Sequence, residues 1–314
     1  MQRLEHRSRR FVLGKRMALI FVMIDGVGLA PTGPHNPVAG GMTRLTGLLD
    51  APLTDALHIE TANLRAVPID ATLGLPGLPQ SGSGHSAIYG GFNAAAFNGR
   101  HQPSYPTIAM REYLSQQNLF QSALDQGARV VWANGYLPGY LEVVAQRRLR
   151  HTAGTWAAMQ AGLGLRGLAE LQSGAALGWD ISHALLRTRL DNDELPLITP
   201  EAAGARLAAL AQTADLVAYE TYLPDLAAHE RLDISVEAAL ALVDGLIGGI
   251  LDHRSADDTL ILTSDHGNSE DQTTRVHTRN PVPLIVSGPA ARHFAAVRSI
   301  DELAAAMLVA LKET

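Results

Sequence analysis

Residues 18–28 read Ala-Leu-Ile-Phe-Val-Met-Ile-Asp-Gly-Val-Gly, and this stretch indicates the fold class. Seven apolar residues follow one another without alternation and stop at an acidic residue, Asp25. An apolar run that does not alternate is typical of a strand that is buried on both faces of a sheet. Residues 18–24 are therefore predicted to form a buried strand, with Asp25 at its carboxyl end.

Further short apolar runs repeat this pattern along the chain and are separated by segments with helical periodicity. The runs are 130–133, 216–218, 259–263 and 282–286, and helices are predicted over 235–253 and 300–311. Alternating buried strands and helices predict an α/β fold, with a doubly wound, mostly parallel sheet covered by helices on both faces. In such sheets the chemistry gathers at the carboxyl ends of the strands.

The pattern of elements divides the chain into three parts. Residues 1–16 are predicted to be an N-terminal extension, and residues 17–134 together with 201–314 are predicted to form the core. The segment 135–200 breaks the alternation, since it is interrupted by glycine and proline near its start and carries a basic run over 147–151. We therefore predict that residues 135–200 form a small cap inserted into the core.

Composition excludes several classes of protein. The chain has 314 residues, of which 46% are hydrophobic and 18% are charged, so it can bury a sizeable core and is not of the disordered class. Its formal net charge is −6, which argues against a general binder of nucleic acid or of anionic membranes. A small-molecule ligand is the expected partner, and the composition carries no information on oligomeric state.

The absence of cysteine and the scarcity of lysine exclude further kinds of catalytic site. The chain has no cysteine, which excludes disulfides, thiolate metal sites and cysteine nucleophiles. Lysine occurs only at Lys15 and Lys312, so Schiff-base chemistry and a Walker-type P-loop have no lysine in the core. Residues 82–87 match the dinucleotide pattern G-x-G-x-x-A, but the preceding stretch is rich in proline and glycine rather than a strand, so we reject a nucleotide-binding function.

The amino terminus contains one possible targeting signal. Residues 8–13 read Ser-Arg-Arg-Phe-Val-Leu, which resembles a twin-arginine export signal. The apolar run that follows is about seven residues long, at the short limit for a signal peptide, and cleavage beyond it would remove Asp25. No stretch approaches the ~20 apolar residues of a membrane span. A cytoplasmic location is therefore expected.

Several separated segments carry side chains that suit divalent cations. Asp225 and His229 are four residues apart, which places both on one face of a helix, where they can bind the same ion. Asp265 and His266 are adjacent at a strand end and can converge within a loop, and His277 lies further along the chain. Taken singly, each has an ordinary alternative: a solvated helix face, a simple turn, or an isolated histidine.

A serine motif supplies a candidate nucleophile. Ser81 opens the small-residue stretch Ser-Gly-Ser-Gly, which precedes a possible helix over 85–89. A serine at a helix amino terminus, beside a cation and an anion-binding backbone, is able to attack phosphorus. The alternative is a serine that only caps the helix.

In combination these motifs resemble one known family. Five motifs occur in the order found in the cofactor-independent phosphoglycerate mutase and phosphopentomutase branch of the alkaline phosphatase superfamily. They are Ile-Asp-Gly-Val-Gly (24–28), Gly-Leu-Pro-Gln-Ser-Gly-Ser-Gly-His (77–85), Asp-x-x-x-His (225–229), Asp-His-Gly-Asn (265–268) and His-Thr-Arg-Asn-Pro (277–281). The resemblance covers residues 17 to about 95 and about 215 to 290, roughly half of the chain.

The resemblance implies two metal sites and a covalent mechanism. One ion would be held by Asp225, His229 and His277, and the other by Asp25, Ser81, Asp265 and His266. Three aspartates, three histidines and one serine without thiolate suit Mn²⁺ or Zn²⁺, and the resemblance favours Mn²⁺. Ser81 would attack the substrate phosphorus and become a phosphoserine, with Ser83 as the alternative nucleophile.

Two differences between this sequence and the mutases favour a hydrolase over a mutase. The mutases carry a much larger inserted domain and a lysine near the site, neither of which is found here. We therefore expect a metal-dependent phosphohydrolase or phosphoryl transferase acting on a phosphate mono- or diester, with a phosphomutase as the alternative. A non-catalytic metal-binding protein is a third hypothesis. Arg100, His85 and the basic run 147–151 are candidate substrate-binding residues, although that run also fits a solvated surface.

Overall fold

The structure is a computed structural model that describes residues 17–190 and 194–313. Its centre is a seven-stranded sheet with the strand order β2-β3-β7-β6-β1-β5-β4. The strands are β1 (Leu19–Ile24), β2 (Ile59–Glu60), β3 (Leu64–Ile69), β4 (Val130–Trp132), β5 (Leu216–Thr221), β6 (Thr259–Thr263) and β7 (Val282–Ser287).

Helices flank the sheet along the described chain. They are α1 (Val38–Gly41), α2 (Thr43–Leu49), α3 (Ser81–Gly90), α4 (Ala94–Asn98), α5 (Ile108–Gln116), α6 (Leu119–Asp125), α7 (Tyr140–Ala145), α8 (Ala153–Gln160), α9 (Leu168–Ser173), α10 (Ala184–Arg187), α11 (Pro200–Leu210), α12 (Leu223–Ala228), α13 (Val236–His253) and α14 (Leu303–Leu311). Short 3₁₀ helices cover Pro289–Phe294 and Ile300–Glu302.

The sheet is mostly parallel and is covered on both faces, as predicted. Strands β4, β5, β1 and β6 pair in parallel, whereas β7 runs antiparallel to both β6 and β3. Alternate residues of β1 enter opposite cores: Leu19 and Phe21 pack into one, and Ile20 and Val22 into the other. The first core also contains side chains of α3, α5, α6, α8 and α14, and the second contains side chains of α2, α11, α12 and α13.

Five strands coincide with the predicted apolar runs, and two were missed. Strand β5 continues to Thr221, three residues beyond the run predicted at 216–218. Strand β3 escaped prediction because it contains Arg65 and Pro68, and proline within a run argues against a central strand. In the sheet Pro68 lies opposite Pro283 of β7, so the two residues that cannot donate to the ladder share one position.

Helix ends differ from the predictions by a few residues, for local reasons. Ser235, predicted as the first helical residue, instead caps α13, because its hydroxyl accepts a hydrogen bond from the backbone nitrogen of Ala238 at 3.2 Å. The helix predicted over 85–89 begins at Ser81, since the small residues before His85 are helical. The helix predicted over 300–311 begins with a 3₁₀ turn.

The predicted cap segment contains α7, α8, α9 and α10. Helix α8 packs into the first core of the sheet through Ala153 and Ala157. Helices α9 and α10 contribute Leu171 and Leu186 to a separate small apolar cluster that also contains Leu195. The division of the chain into a core and an inserted cap stays a prediction.

Two predictions concern the chain termini and membranes. The N-terminal extension 1–16, with the arginine pair at 9 and 10 and Lys15, lies outside the described residues. Within the described part of the chain, no helix combines the length and apolar character that crossing a bilayer requires.

Candidate metal centre

Three adjacent parallel strands bring the acidic residues together at one edge of the sheet. Asp25 directly follows β1, Asp265 lies two residues beyond β6, and Asp225 is in α12, which follows β5. Strands β5, β1 and β6 are neighbours that run in parallel, so their carboxyl ends meet. This placement follows the rule that positions ligand sites in open α/β sheets.

Asp25, Asp265 and His266 form one potential cation site. Their donor atoms all lie within 4.8 Å of one another, and all three side chains are buried. Nε2 of His266 is 3.4 Å from Oδ1 of Asp25 and 3.2 Å from Oδ2 of Asp265. Burial lowers the pKa of His266 to about 4, so its imidazole is neutral near pH 7 and offers a nitrogen lone pair.

Asp225, His229 and His277 converge on a second point. Nε2 of His229 and Nε2 of His277 lie 3.4 and 3.5 Å from Oδ1 of Asp225. The donor atoms of Asp225, His266 and His277 also lie within 4.8 Å of one another, so His266 is close to both clusters of side chains. The rings of His266 and His277 are stacked with their centroids 3.7 Å apart.

The hydrogen bonds of His229 and His277 turn the Nε2 atoms of both rings toward Asp225. Nδ1 of His229 is 2.9 Å from the carbonyl oxygen of Arg275, and Nδ1 of His277 is 2.8 Å from that of Pro79. A carbonyl only accepts, so each Nδ1 carries a hydrogen, and the Nε2 atom of each ring faces Asp225. The two Nε2 atoms are 3.0 Å apart. Burial would lower the pKa of His277, but Asp225 raises it above its usual value, so this arrangement favours positive charge beside the carboxylate.

The carboxylates around the first site lead to the same conclusion. Burial, together with repulsion from Asp265 and Asp225, holds the pKa of Asp25 well above its usual range. Oδ1 of Asp25 and Oδ2 of Asp265 are buried and accept no hydrogen bond from the residues that the structure describes. Buried carboxylate oxygens without donors fit divalent cation ligands. The residues at this edge of the sheet therefore fit a metal centre.

Ser81 lies at this centre, whereas Ser83 does not. Oγ of Ser81, the first residue of α3, is 3.0 Å from Nε2 of His266. Ser83 is fully buried, and its hydroxyl donates to the carbonyl of Gln80 at 3.0 Å and accepts from the backbone nitrogen of Gln102 at 3.2 Å. Of these two serine hydroxyls, that of Ser81 is the one that contacts His266.

The glycines of the serine motif serve close packing. A Cβ atom added to Gly82 would lie 2.6 Å from the carbonyl oxygen of Gln102, and one added to Gly84 would lie 2.8 Å from that of Asp265. Both positions therefore require glycine to bring α3 against the neighbouring loops. This requirement explains the G-x-G-x-x-A match without a nucleotide.

His85 of α3 contacts two of the proposed ligands, Asp25 and Asp265. Its Nε2 lies 3.3 Å from Oδ2 of Asp25 and 3.1 Å from Oδ2 of Asp265, and its Nδ1 lies 3.8 Å from Oε2 of Glu220. Burial alone would lower the pKa of His85, but the two aspartates hold it well above its usual range. His85 was predicted to bind substrate. It is also within reach of the aspartate ligands, which it can orient.

Sequence reasoning missed three residues that support the site: Asn268, Glu220 and Glu270. Asn268 donates from Nδ2 to Oδ1 of Asp225 at 2.8 Å. Glu270 is buried and accepts hydrogen bonds from the backbone nitrogens of Gly28 (3.0 Å) and Asn268 (2.7 Å), which ties the loop after β1 to the loop after β6. Asn268 ends the Asp-His-Gly-Asn motif, Glu270 lies two residues beyond it, and Glu220 is the one acidic residue of β5. A polar or acidic residue in or beside a buried strand was therefore the signal that the sequence offered.

A cavity of about 640 Å³ opens above these residues. Asp25, Ser81, His85 and Asp225 line its floor, and residues from α7, α10 and the adjoining loops line its walls. Of the basic run 147–151, Arg150 lines the cavity, whereas Arg147 and Arg148 are exposed and do not. Arg100 is also exposed and does not line it, while Arg189 and Arg231, which were not predicted, do.

Comparisons with known proteins find similarity to metalloenzymes in the C-terminal part of the chain. Residues 200–312 match the model of the Metalloenzyme superfamily. The 2,3-bisphosphoglycerate-independent phosphoglycerate mutase of Syntrophotalea carbinolica is 33% identical over 82 residues, which are 24% of this chain and 16% of that protein. The corresponding mutase of Prochlorococcus marinus is 31% identical over 102 residues, which are 28% of this chain and 19% of that protein. The match therefore spans less than a fifth of the length of these relatives.

Two solved structures show the same fold over almost the whole chain. Alkaline phosphatase from the Antarctic bacterium TAB5 aligns with a TM-score of 0.52 at 14% identity and covers 94% of this chain and 97% of that one. A cold-active alkaline phosphatase from Shewanella sp. aligns with a TM-score of 0.53 at 13% identity, covering 94% of this chain and 100% of that one. The predicted resemblance to the alkaline phosphatase superfamily and its phosphoglycerate mutase branch is confirmed, as is the α/β fold class.

Proposed function

We propose that this chain is a metal-dependent phosphohydrolase that transfers the phosphoryl group of a phosphate ester first to Ser81 and then to water. The observation that carries the proposal is the 3.0 Å distance between Oγ of Ser81 and Nε2 of His266, a residue that lies close to members of both proposed sets of ligands. A hydroxyl in this position lies beside both proposed cations and faces the cavity.

The proposed ligands divide into two sets. Asp25, Ser81, Asp265 and His266 would hold one ion. Asp225, His229 and His277 would hold the other. Such ions, when bound, lower the pKa of the nucleophile and neutralise charge on the oxygens of the transferred group. Oxygen and imidazole donors without thiolate suit Mn²⁺ or Zn²⁺, and the resemblance to the mutase branch favours Mn²⁺.

The covalent chemistry belongs to Ser81. Its Oγ forms a bond to phosphorus while the bond from phosphorus to the ester oxygen breaks, and the serine proton ends on the departing alcohol. A water molecule then attacks the phosphoserine, returns a proton to Oγ and releases inorganic phosphate. The start of α3 directs backbone N–H groups toward the anion, and Arg150 and Arg231 on the cavity wall supply positive charge for it.

A phosphomutase is the second candidate, and the names of the matched relatives favour it. In that reaction the phosphoserine returns its phosphoryl group to another hydroxyl of the same bound molecule rather than to water. The hydrolase is preferred because the predicted cap is small and because lysine occurs only at Lys15 and Lys312.

The test begins with metal-free protein to which Mn²⁺ or Zn²⁺ is restored. We expect p-nitrophenyl phosphate turnover only with the ion, and a loss of roughly a thousandfold or more in Ser81→Ala. Ser83→Ala is the matched control, because it removes a hydroxyl of the same helix that faces away from the centre. Acid quenching with ³²P-labelled substrate should trap label on Ser81.

Each alternative has its own outcome. If a sugar phosphate or a phosphoglycerate is converted to its isomer and no free phosphate is released, the protein is a mutase and not a hydrolase. Metal binding without turnover of any ester would support a non-catalytic metal-binding protein. Activity that survives both chelation and Ser81→Ala would remove the covalent mechanism.

A further inference from the structure

The wall of the cavity above Ser81 is built largely from ring faces and aliphatic side chains. Tyr136 and Tyr140 form one aromatic pair, with ring centroids 4.5 Å apart, and Trp179 and Tyr222 form another, at 5.9 Å. All four line the cavity together with several aliphatic side chains, among them Leu190. Such a surface favours flat or apolar ligand groups.

The tyrosine hydroxyls of this wall are engaged within the protein. The hydroxyl of Tyr222 donates to Oε1 of Glu220. The hydroxyl of Tyr136 accepts from Nε1 of Trp132 at 2.8 Å and lies 2.7 Å from Oγ1 of Thr155. That of Tyr140 lies 2.9 Å from Nδ1 of His151. These tyrosines therefore present rings rather than free hydroxyls to a ligand.

The other neutral polar groups close to them are engaged in the same way. Thr152 donates from Oγ1 to Oε1 of Glu220 at 2.8 Å and lies 3.0 Å from Oγ1 of Thr155. Both ends of the Asn134 amide pair with the backbone of Glu220, at 2.8 and 2.9 Å. A ligand rich in hydroxyl groups would lose its water here and would have to compete with these bonds for partners.

Positive charge is the main polar feature left on the wall, beside Ser104 and Tyr105. Arg150, Arg189 and Arg231 line the cavity, and none of the three forms an ion pair with a carboxylate among the residues described. Guanidinium groups suit the dianionic phosphoryl group. The cavity of about 640 Å³ also leaves room for a sizeable group attached to it.

We propose that the preferred substrates are phosphate monoesters of bulky, flat and largely apolar alcohols, and that small polyhydroxylated phosphates are poor substrates. The phosphoryl group lies over Ser81 and faces the arginines, and the apolar group packs against Tyr136, Tyr140 and Trp179. This inference rests on the proposed function for its kinetic test, but it can also be tested by binding alone.

The kinetic test compares esters of primary alcohols, so that the leaving groups are similar. With Mn²⁺-loaded protein, kcat/KM for benzyl phosphate should exceed that for ethyl phosphate and for glycerol 1-phosphate by about tenfold or more, as expected for a buried ring. Equal or better turnover of glycerol 1-phosphate would overturn the proposal.

Variants of the wall test which residues produce the preference. Tyr140→Ala should reduce the ratio of benzyl to ethyl phosphate turnover by about threefold to tenfold. Leu190→Ala, on another wall segment, should reduce it in the same direction and serves if Tyr140→Ala fails to fold. Trp156→Ala is the matched control, because this tryptophan lies in α8 and lines a separate surface groove. An unchanged ratio in both folded wall variants would contradict the assignment.

Binding of non-hydrolysable phosphonates separates failure of this inference from failure of the proposed function. Calorimetry on the Mn²⁺-loaded wild type should give an affinity for benzylphosphonate about tenfold higher than for methylphosphonate. If benzylphosphonate binds more tightly but no ester is turned over, the binding preference holds and the proposed hydrolase function is refuted. Equal affinities would overturn the preference even in an active enzyme.

Discussion

Nδ2 of Asn268 lies 2.8 Å from Oδ1 of Asp225, so the loop after β6 fixes a proposed ligand presented by the helix after β5. The same carboxylate oxygen faces Nε2 of His229 and of His277 at 3.4 and 3.5 Å. Burial would raise the pKa of Asp225, but hydrogen bonds from His277 and Asn268 and the nearby histidines lower it to about 2. Asp225 is therefore ionised and oriented over the whole physiological range of pH.

Replacing Asn268 should weaken metal binding without dismantling the fold. Asn268→Leu keeps the size of the side chain but removes the donor, and partners that orient metal ligands commonly contribute about 10- to 100-fold in affinity. We expect the Mn²⁺ affinity, measured by calorimetry, to fall by about tenfold or more. Asn118→Leu is the control, because it removes an equally buried amide at the start of α6. That variant should lose stability but keep its metal affinity, and an equal loss of affinity in both would argue against a specific role for Asn268.

Asp25 should destabilise the metal-free protein and stabilise the loaded one. Its pKa is raised by burial and by the neighbouring aspartates, so the folded state holds a proton that the unfolded state releases above about pH 4. The unfolded state then binds fewer protons, and the contribution of Asp25 to stability declines as the pH rises toward its folded pKa. Without metal, Asp25→Asn should therefore gain stability relative to wild type between pH 4.5 and 7.5, on the order of 1 kcal/mol.

Urea unfolding after chelation, at pH 4.5, 6 and 7.5, measures this difference. Addition of Mn²⁺ should reverse the order, because a ligand that binds only the folded state stabilises it by about 2.7 kcal/mol at a hundred times its dissociation constant. Asp25→Asn should show much less of this gain. If the difference in unfolding free energy between the two proteins changes neither with pH nor with Mn²⁺, Asp25 is neither destabilised by its charge nor a metal ligand.

The parts of the site that the sequence predicts are those tied to local pattern. Asp25 was predictable because it ends an uninterrupted apolar run, and Asp225 and His229 because four residues make one turn of helix. The resemblance to a known family grouped Ser81 and His277 with them, a grouping that no local spacing contains. The contact between His229 and His277 joins residues 48 apart in the chain, so periodicity alone does not predict it.

The residues that were missed act across the fold rather than along the chain. Glu220 lies within an apolar strand, and its importance comes from Tyr89, Thr152 and Tyr222, which all donate to it. Strand β3 has no alternating or continuous apolar pattern, because Arg65 and Pro68 interrupt it, and only pairing with β7 specifies it. Interactions of this kind depend on tertiary contacts that single-sequence periodicity does not encode.

Glu270 should be important for the stability of the loops that carry the ligands. Its carboxylate accepts hydrogen bonds from the backbone nitrogens of Gly28 and Asn268 and from Nδ2 of Asn280, the last at 3.0 Å. In Glu270→Gln an amide NH₂ group replaces one acceptor and faces a donor, so the free energy of unfolding should fall by about 2 kcal/mol. Denaturant unfolding of the metal-free protein measures this loss, with Glu112→Gln, at an exposed position of α5, as the control. A loss in Glu270→Gln no larger than in the control would show that the carboxylate is dispensable.

The contact between α11 and α13 depends on glycine, and a matched pair of substitutions tests it. A Cβ atom on Gly204 would lie 2.1 Å from the carbonyl oxygen of Leu246, whereas one on Gly47, in α2, would meet nothing within 4 Å. Gly204→Ala must therefore push the two helices apart, and we expect a loss of about 2–3 kcal/mol in unfolding free energy. Gly47→Ala should instead gain about 0.5–1 kcal/mol, because alanine loses less backbone entropy in a helix. Urea unfolding of the two variants and of the wild type measures these changes. If Gly204→Ala leaves the unfolding free energy unchanged, the two helices do not pack as closely as the structure places them.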